Sequence, residues 1–257
     1  MTTQRVLCAQ SYTIREDMKD AKSIRESFKK LAEIGYHGIQ LAKTEGVTPQ
    51  DLCDMAGETG LKIVSGNAGW DRFQNDLDAV IAEHKLFKCK NCHIGGLPAD
   101  YRSPDGLKRF VKELAPVAER LNAEGMTFSY HNHSHELAKY DGKTWLETLY
   151  ELASPAQLKA ELDVYWIQHG GGDPVQWICR YAGRQPLMHL KDMAITPQRE
   201  QRFAEIGQGT LNWKAILQAA QEAGAEYYIV EQEQCYDRDP FDSLALSYKF
   251  LKSMGLS

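Results

Sequence analysis

The sequence predicts one eight-stranded β/α barrel, the TIM-barrel class, over residues 1–257. Three observations carry that expectation. Short apolar runs alternate with longer amphipathic segments eight times along the chain, the pattern of parallel β/α units. Glycines stand at the joints before strands, at Gly35, Gly60, Gly125 and Gly224, where a left-handed residue ends a helix. The length of 257 residues is the usual size of one such barrel. An open doubly wound sheet is the competing arrangement of the same units.

In order, strands are expected at Val6–Gln10, Gly38–Ala42, Lys62–Gly66, Cys92–Gly95, Thr127–His131, Lys159–Asp163, Leu187–Leu190 and Tyr227–Glu231. Helices are expected at Ala21–Ile34, Pro49–Thr59, Leu77–Phe87, Pro104–Asn122, Thr144–Ala153, Pro174–Tyr181, Trp213–Ala223 and Phe241–Met254. In the first helix Ile24, Phe28, Leu31 and Ala32 share one face at the helical period. The longest irregular stretch, Asp192–Asn212, follows the seventh strand, where a barrel carries an active-site loop.

Composition narrows the function classes. Hydrophobic residues make up 43% and charged residues 25%, an ordinary balance with a core to bury. A net charge of −5 and a pI near 5.9 do not attract a phosphate backbone, so nucleic acid is not the expected partner. No basic region leads into a long apolar run, and no window nears the length of a membrane span. Cys8, Cys53, Cys89, Cys92, Cys179 and Cys235 are scattered. Reduced thiols and a cytoplasmic location are the expectation. Homo-oligomerisation is left open.

Barrel active sites form at the C-terminal strand ends, and the chemistry-bearing residues cluster there. The fifth strand runs into Tyr130-His131-Asn132-His133-Ser134-His135-Glu136. The sixth ends in Glu161-Leu162-Asp163, the seventh carries His189-Leu190-Lys191-Asp192, and the eighth ends in Glu231-Gln232-Glu233. Four consecutive strands thus bring carboxylates and imidazoles to one rim. Such donors suit one divalent ion, with Mn²⁺ favoured and Mg²⁺, Co²⁺ or Zn²⁺ also compatible. Alternation sets His131 and His133 on one side and leaves His135 at the surface.

The segments Gly35-Tyr36-His37-Gly38-Ile39-Gln40, Gly60-Leu61-Lys62-Ile63-Val64-Ser65, Tyr130-His131-Asn132-His133, Leu187-Met188-His189-Leu190-Lys191-Asp192, Glu205-Ile206-Gly207-Gln208-Gly209 and Val230-Glu231 give the chain a family resemblance. In order and spacing it resembles the xylose-isomerase-like barrels, often described as sugar phosphate isomerases/epimerases. The resemblance implies a metal held by a Glu after strand five, an Asp after strand six, a His on strand seven and a Glu after strand eight. Asp163, His189 and Glu231 match the last three. The first position departs, because His131 stands where relatives carry Glu. Glu136, five residues on, is the expected replacement ligand, with His131 or His133 as the alternatives.

The implied chemistry is proton transfer next to a carbonyl in a small sugar or keto-sugar. A metal would hold the enediolate oxygen and a carboxylate or imidazole would move the proton. Glu231, His131, His133 and Glu136 are the candidates for that role. Lys191, Trp166 and Gln40 are the candidates for substrate contact, although Lys191 could equally be a salt-bridge partner. Trp166 and Trp70 could each be core packing. Glu161 shares a face with Asp163 and is a candidate support for the site.

Isomerisation or epimerisation is the first reading. The alternative is a lyase or dehydratase acting on a keto-sugar, keto-inositol or 3-keto-glycoside, which the histidine-rich fifth strand resembles. A non-catalytic sugar-binding barrel is a further class. An endonuclease IV-like activity needs additional metal ligands on early strands, where this chain has Gln40 and Ser65-Gly66-Asn67.

Two motifs point elsewhere and are set aside. Cys89-Lys90-Asn91-Cys92-His93 has the spacing of a haem attachment site but straddles a helix–strand joint. His169-Gly170-Gly171-Gly172-Asp173-Pro174 lacks the Lys-Ser/Thr of a phosphate loop, and Asp173 and Pro174 read as the cap and first residue of a helix.

Overall fold

The computed structural model describes residues 5–42, 44 and 46–256. Twelve strands are numbered here in chain order, and eight of them close the barrel. These are β1 (Val6–Gln10), β2 (Gly38–Leu41), β3 (Lys62–Asn67), β4 (Asn91–Ile94), β5 (Thr127–His131), β8 (Lys159–Asp163), β9 (Leu187–Leu190) and β12 (Tyr227–Val230). All eight pair in parallel, and β1 closes the ring on β12. The closed ring excludes the open doubly wound sheet.

The four remaining strands form two small hairpins: β6 (Lys139–Tyr140) with β7 (Lys143–Thr144), and β10 (Asp192–Ile195) with β11 (Gln201–Ala204). The second corrects the expectation of an irregular 192–212 segment. Two short helices, α3 (Trp70–Asn75) and α7 (Val164–His169), were also not expected. The other helices are α1 (Ala21–Ile34), α2 (Pro49–Thr59), α4 (Leu77–Leu86), α5 (Pro104–Ala123), α6 (Trp145–Leu152), α8 (Pro174–Arg180), α9 (Trp213–Glu222) and α10 (Pro240–Ser253).

Local chemistry sets the helix ends. Asp20 and Ser23 form a reciprocal cap on α1, Thr48 and Asp51 on α2, and Thr144 and Glu147 on α6, each satisfying backbone N–H groups that the helix leaves open. Asp173 caps α8 ahead of Pro174. Gly35 ends α1 at φ +115°, where an added Cβ would lie 2.5 Å from the Tyr248 hydroxyl, so both conformation and space require glycine.

Two apolar layers fix what faces the site. The main core packs the outer face of the sheet against the helices. A smaller cluster of Val6, Cys8, Val64, Leu187 and Ile229 plugs the lumen. Gly38 completes that plug, since a Cβ there would lie 2.8 Å from both Cys8 Sγ and Val64 Cγ1. The strand period of two then sets the next inward layer. Gln10 follows Cys8, Gln40 follows Gly38, His189 follows Leu187 and Glu231 follows Ile229, all toward the C-terminal mouth.

Candidate active site

His189 occupies the centre of that layer. Its Nδ1 lies 3.0 Å from Glu231 Oε2 and its Nε2 lies 2.8 Å from Glu161 Oε1. Gln40 Oε1 is 2.6 Å from the same Nε2, and Gln40 Nε2 donates to Glu161 Oε1 at 2.6 Å. Gln10 Nε2 in turn donates to Gln40 Oε1 at 2.5 Å. Burial alone would depress the His189 pKa. The bonds to Glu161 and Glu231 overcome it and push the value up to about 10. His189 is thus clamped between two carboxylates that favour its charged form.

Lys191 is fully buried. Its ammonium lies 3.1 Å from Asp163 Oδ2, 3.0 Å from Glu231 Oε2 and 2.8 Å from Glu233 Oε1. The Trp166 and Phe203 rings cover it, with centroids 5.2 and 5.7 Å away. Glu231 feels both cations. Burial would raise its pKa, but Lys191 and His189 hold it well below the usual carboxylate range. Asp163 is raised, because burial outweighs the same neighbours.

Asp163 also builds the local backbone. Its Oδ1 accepts the Trp166 N–H and caps α7, and its own N–H donates to Asn132 Oδ1. Its Oδ2, although near Lys191, has no aligned hydrogen bond among the described residues.

His131 comes up from β5 with its ring centroid 4.3 Å from that of His189. Burial and then the His189 charge push its pKa well down, so the ring is neutral. Its Nδ1 is buried and has no hydrogen-bond partner among the described residues. His133 is also neutral, lowered to about 4 by burial and then by Lys191. One donor atom each from His131, Asp163, His189 and Glu231 lies within 4.8 Å of the others. The donor set of two imidazoles and two carboxylates, with orphaned Nδ1 and Oδ2 atoms, fits a divalent cation.

Glu136 is not in that group, contrary to expectation. Its oxygens accept from the Tyr130 hydroxyl at 2.8 Å and the His133 N–H at 2.8 Å, and one lies 3.2 Å from His135 Nε2. The reason is strand parity. Tyr130 alternates with His131, so it points out of the lumen into the main core, where it packs on Trp145. The turn His135–Leu137 folds Glu136 back onto Tyr130.

A cleft of about 210 Å³ opens over the group, lined by Gln10, Tyr12, His93, His133, Glu231 and Glu233 among others. Gln40 and Lys191 are fully buried beneath it and do not line it. Trp166 lines the space next door. Trp70 packs in the core against Phe110 and Phe128. His135 is partly exposed. Gln10, His93 and Glu233 were not singled out as site residues from the sequence, although Gln10 ends β1 and Glu233 follows β12, and that rule could have found those two. His93 is held by Ser65 Oγ, 2.6 Å from Nδ1. A depression of about 680 Å³ between the β10–β11 hairpin and the start of α10 brings no imidazole into its lining.

The loop after β9 is ordered by Asp192. Its carboxylate accepts from the backbone N–H groups of Gly207, Gly209 and Leu211 and from Trp213 Nε1 at 2.6 Å. A Cβ on Gly209 would lie 2.3 Å from Asp192 Oδ1. The resulting hairpin places Phe203 over Lys191.

Comparisons with known proteins agree with this architecture. A sugar phosphate isomerase/epimerase from Parabacteroides distasonis superposes with a TM-score of 0.83 at 22% identity, covering 100% of this chain and 96% of that one. An L-ribulose 3-epimerase gives 0.77 at 16% identity, covering 98% and 95%. A probable 3-DHS dehydratase from Bacillus anthracis gives 0.71 at 17% identity, covering 96% and 98%. At these identities the likeness concerns the fold. In sequence, 163 residues are 24% identical to the inosose dehydratase of Lacticaseibacillus casei, covering 57% of this chain and 54% of that protein. The chain therefore spans about half the length of the curated relatives it matches. The family model described as xylose isomerase-like TIM barrel matches residues 28–254, and the chain belongs to that family.

Proposed function

We propose that this protein is a divalent-metal-dependent isomerase or epimerase that moves a proton next to the carbonyl of a small keto-sugar. The observation that carries the reading is the buried group of His131, Asp163, His189 and Glu231 at the floor of a cleft about the size of one sugar ring.

A divalent cation held by those four residues supplies a Lewis acid for a carbonyl oxygen. The protein's own groups do the rest. Glu231 lines the cleft as an ionised carboxylate and is the base for the C–H proton. Glu161 accepts a hydrogen bond from His189 Nε2–H, which turns Nδ1 toward the group, where it would hold the cation in its deprotonated form. Lys191 offsets the carboxylate charge from below. Across the cleft, neutral His133 donates a hydrogen bond to a substrate hydroxyl.

A second reading, dehydration, is favoured by one feature. The fifth strand presents an imidazole where a paired-carboxylate epimerase needs a second acid. In that case Glu231 takes the proton beside the carbonyl and passes it to the departing hydroxyl, which leaves as water while neutral His133 hydrogen-bonds it. The inosose dehydratase relative agrees with this variant.

The test is metal analysis of purified protein, followed by a mass-resolved keto-sugar screen with the metal-loaded protein. A product of unchanged mass supports isomerisation, and one lighter by a water supports dehydration. Glu231→Gln should abolish either. Wild-type rates in that variant would remove Glu231 from the mechanism.

A further inference from the structure

We propose that a chamber beside the catalytic cleft is a subsite for an oxyanion, a carboxylate or phosphate, carried on the substrate away from its carbonyl. The proposal deepens the reaction reading above and rests on it for the position of the carbonyl end.

The chamber has a volume of about 450 Å³, and it shares Gly95 and His133 with the cleft. The two spaces therefore meet along one wall, and a ligand larger than a single sugar ring can lie across both. Their electrostatic character is opposite. The cleft is walled by Glu231 and Glu233 over buried Glu161 and Asp163. The chamber is lined by Arg102, His133, Ser134, His135 and Trp166 over the Gly95–Leu97 backbone, with no carboxylate in its wall. Glu136 lies in the next recess, where Arg102 and His135 reappear. Its oxygens are already committed to Tyr130, His133 and His135.

Arg102 is the group that chooses the ligand. Other arginines find an acid: Arg109 pairs with Asp100 and Arg180 with Glu147. The Arg102 guanidinium is exposed and forms no ion pair among the described residues. Trp166, in the same wall, keeps a buried Nε1–H with no acceptor among the described residues. A planar fork of donors beside an unanswered indole N–H suits a carboxylate or phosphate and offers little to a neutral hydroxyl.

The experiment is calorimetric binding to the Mn²⁺-loaded protein and to its Arg102→Gln and Arg102→Lys variants. Four probes share one ketose: D-fructose, D-fructose 6-phosphate, D-fructuronate, which carries a carboxylate at C6, and isomaltulose, which carries a neutral glucose at the same terminal oxygen. The expected result is that a phosphate or carboxylate probe binds wild type at least about tenfold more tightly than fructose, the size of one charge-assisted pair. That preference should vanish in Arg102→Gln and partly return in Arg102→Lys, with fructose binding unmoved throughout. Which anionic probe gains more separates phosphate from carboxylate.

Equal binding of the anionic probes and fructose, tighter binding of isomaltulose than of either anion, or an anion preference that survives Arg102→Gln would overturn the subsite. Anion-dependent binding without turnover of any keto-sugar would sink the reaction reading and leave the subsite standing. Turnover with no anion preference would do the reverse.

Discussion

His189 Nε2 stands 2.8 Å from Glu161 Oε1, and both side chains are buried at the top of the barrel lumen. The contact fixes the ring face, and with it the nitrogen that is turned toward Asp163 and Glu231. Glu161→Gln keeps the shape and removes the charge. Metal affinity, measured by calorimetry against a competing chelator, should fall about 10–100-fold, the usual effect of losing such a support. Unchanged affinity would mean that Glu161 does not position His189.

Lys191 is the internal counter-ion for three carboxylates. Lys191→Met leaves Asp163, Glu231 and Glu233 uncompensated, and breaking a buried ion pair costs about 3–5 kcal/mol. Denaturant unfolding without metal should show a loss of that order. Added Mn²⁺ should raise the melting temperature more in the variant than in the parent, because the metal then answers charge that Lys191 otherwise holds. Equal stability without metal would contradict this role.

Asp192→Ala removes the acceptor shared by Gly207, Gly209, Leu211 and Trp213. A buried set of unmade bonds costs about 2–4 kcal/mol. Limited proteolysis should then cut within 192–212 faster than in the parent. Asp192→Asn keeps one oxygen and should lose less. An intact loop in Asp192→Ala would show that the hairpin holds itself.

Glu147 gives a pH signature away from the site. Burial would raise its pKa, but the Thr144 N–H and hydroxyl and the Arg180 guanidinium hold it below the ordinary 4.5. A depressed folded value adds stability above the unfolded pKa, and that stability is lost as pH falls through the folded one. The stability gap between the parent and Glu147→Gln should therefore be full at neutral pH and close below about pH 4. A gap that does not change with pH would assign the loss to packing.

The barrel was legible because its signals are local and repeated. The cap at Asp173 ahead of Pro174, glycines after helices, and short apolar runs alternating with amphipathic ones each declare themselves within a few residues. Asp163, His189 and Glu231 were legible because they sit at strand ends, where topology alone brings them together. Glu136 was misplaced because its direction depends on Tyr130, whose outward parity matters only once the strand has a core to face. The β10–β11 hairpin was hidden because its organiser, Asp192, bonds to donors up to twenty-one residues away. Arg102 carried no signal at all, since a missing partner is visible only in three dimensions.

The central claim is that His131, Asp163, His189 and Glu231 hold one divalent ion. Anomalous diffraction from a Mn²⁺-soaked crystal tests it directly. The account predicts a single peak within about 2.0–2.4 Å of a donor atom from each of the four, with Glu136 still bonded to Tyr130. No peak there, or a peak coordinated by Glu136 in place of His131, would contradict it.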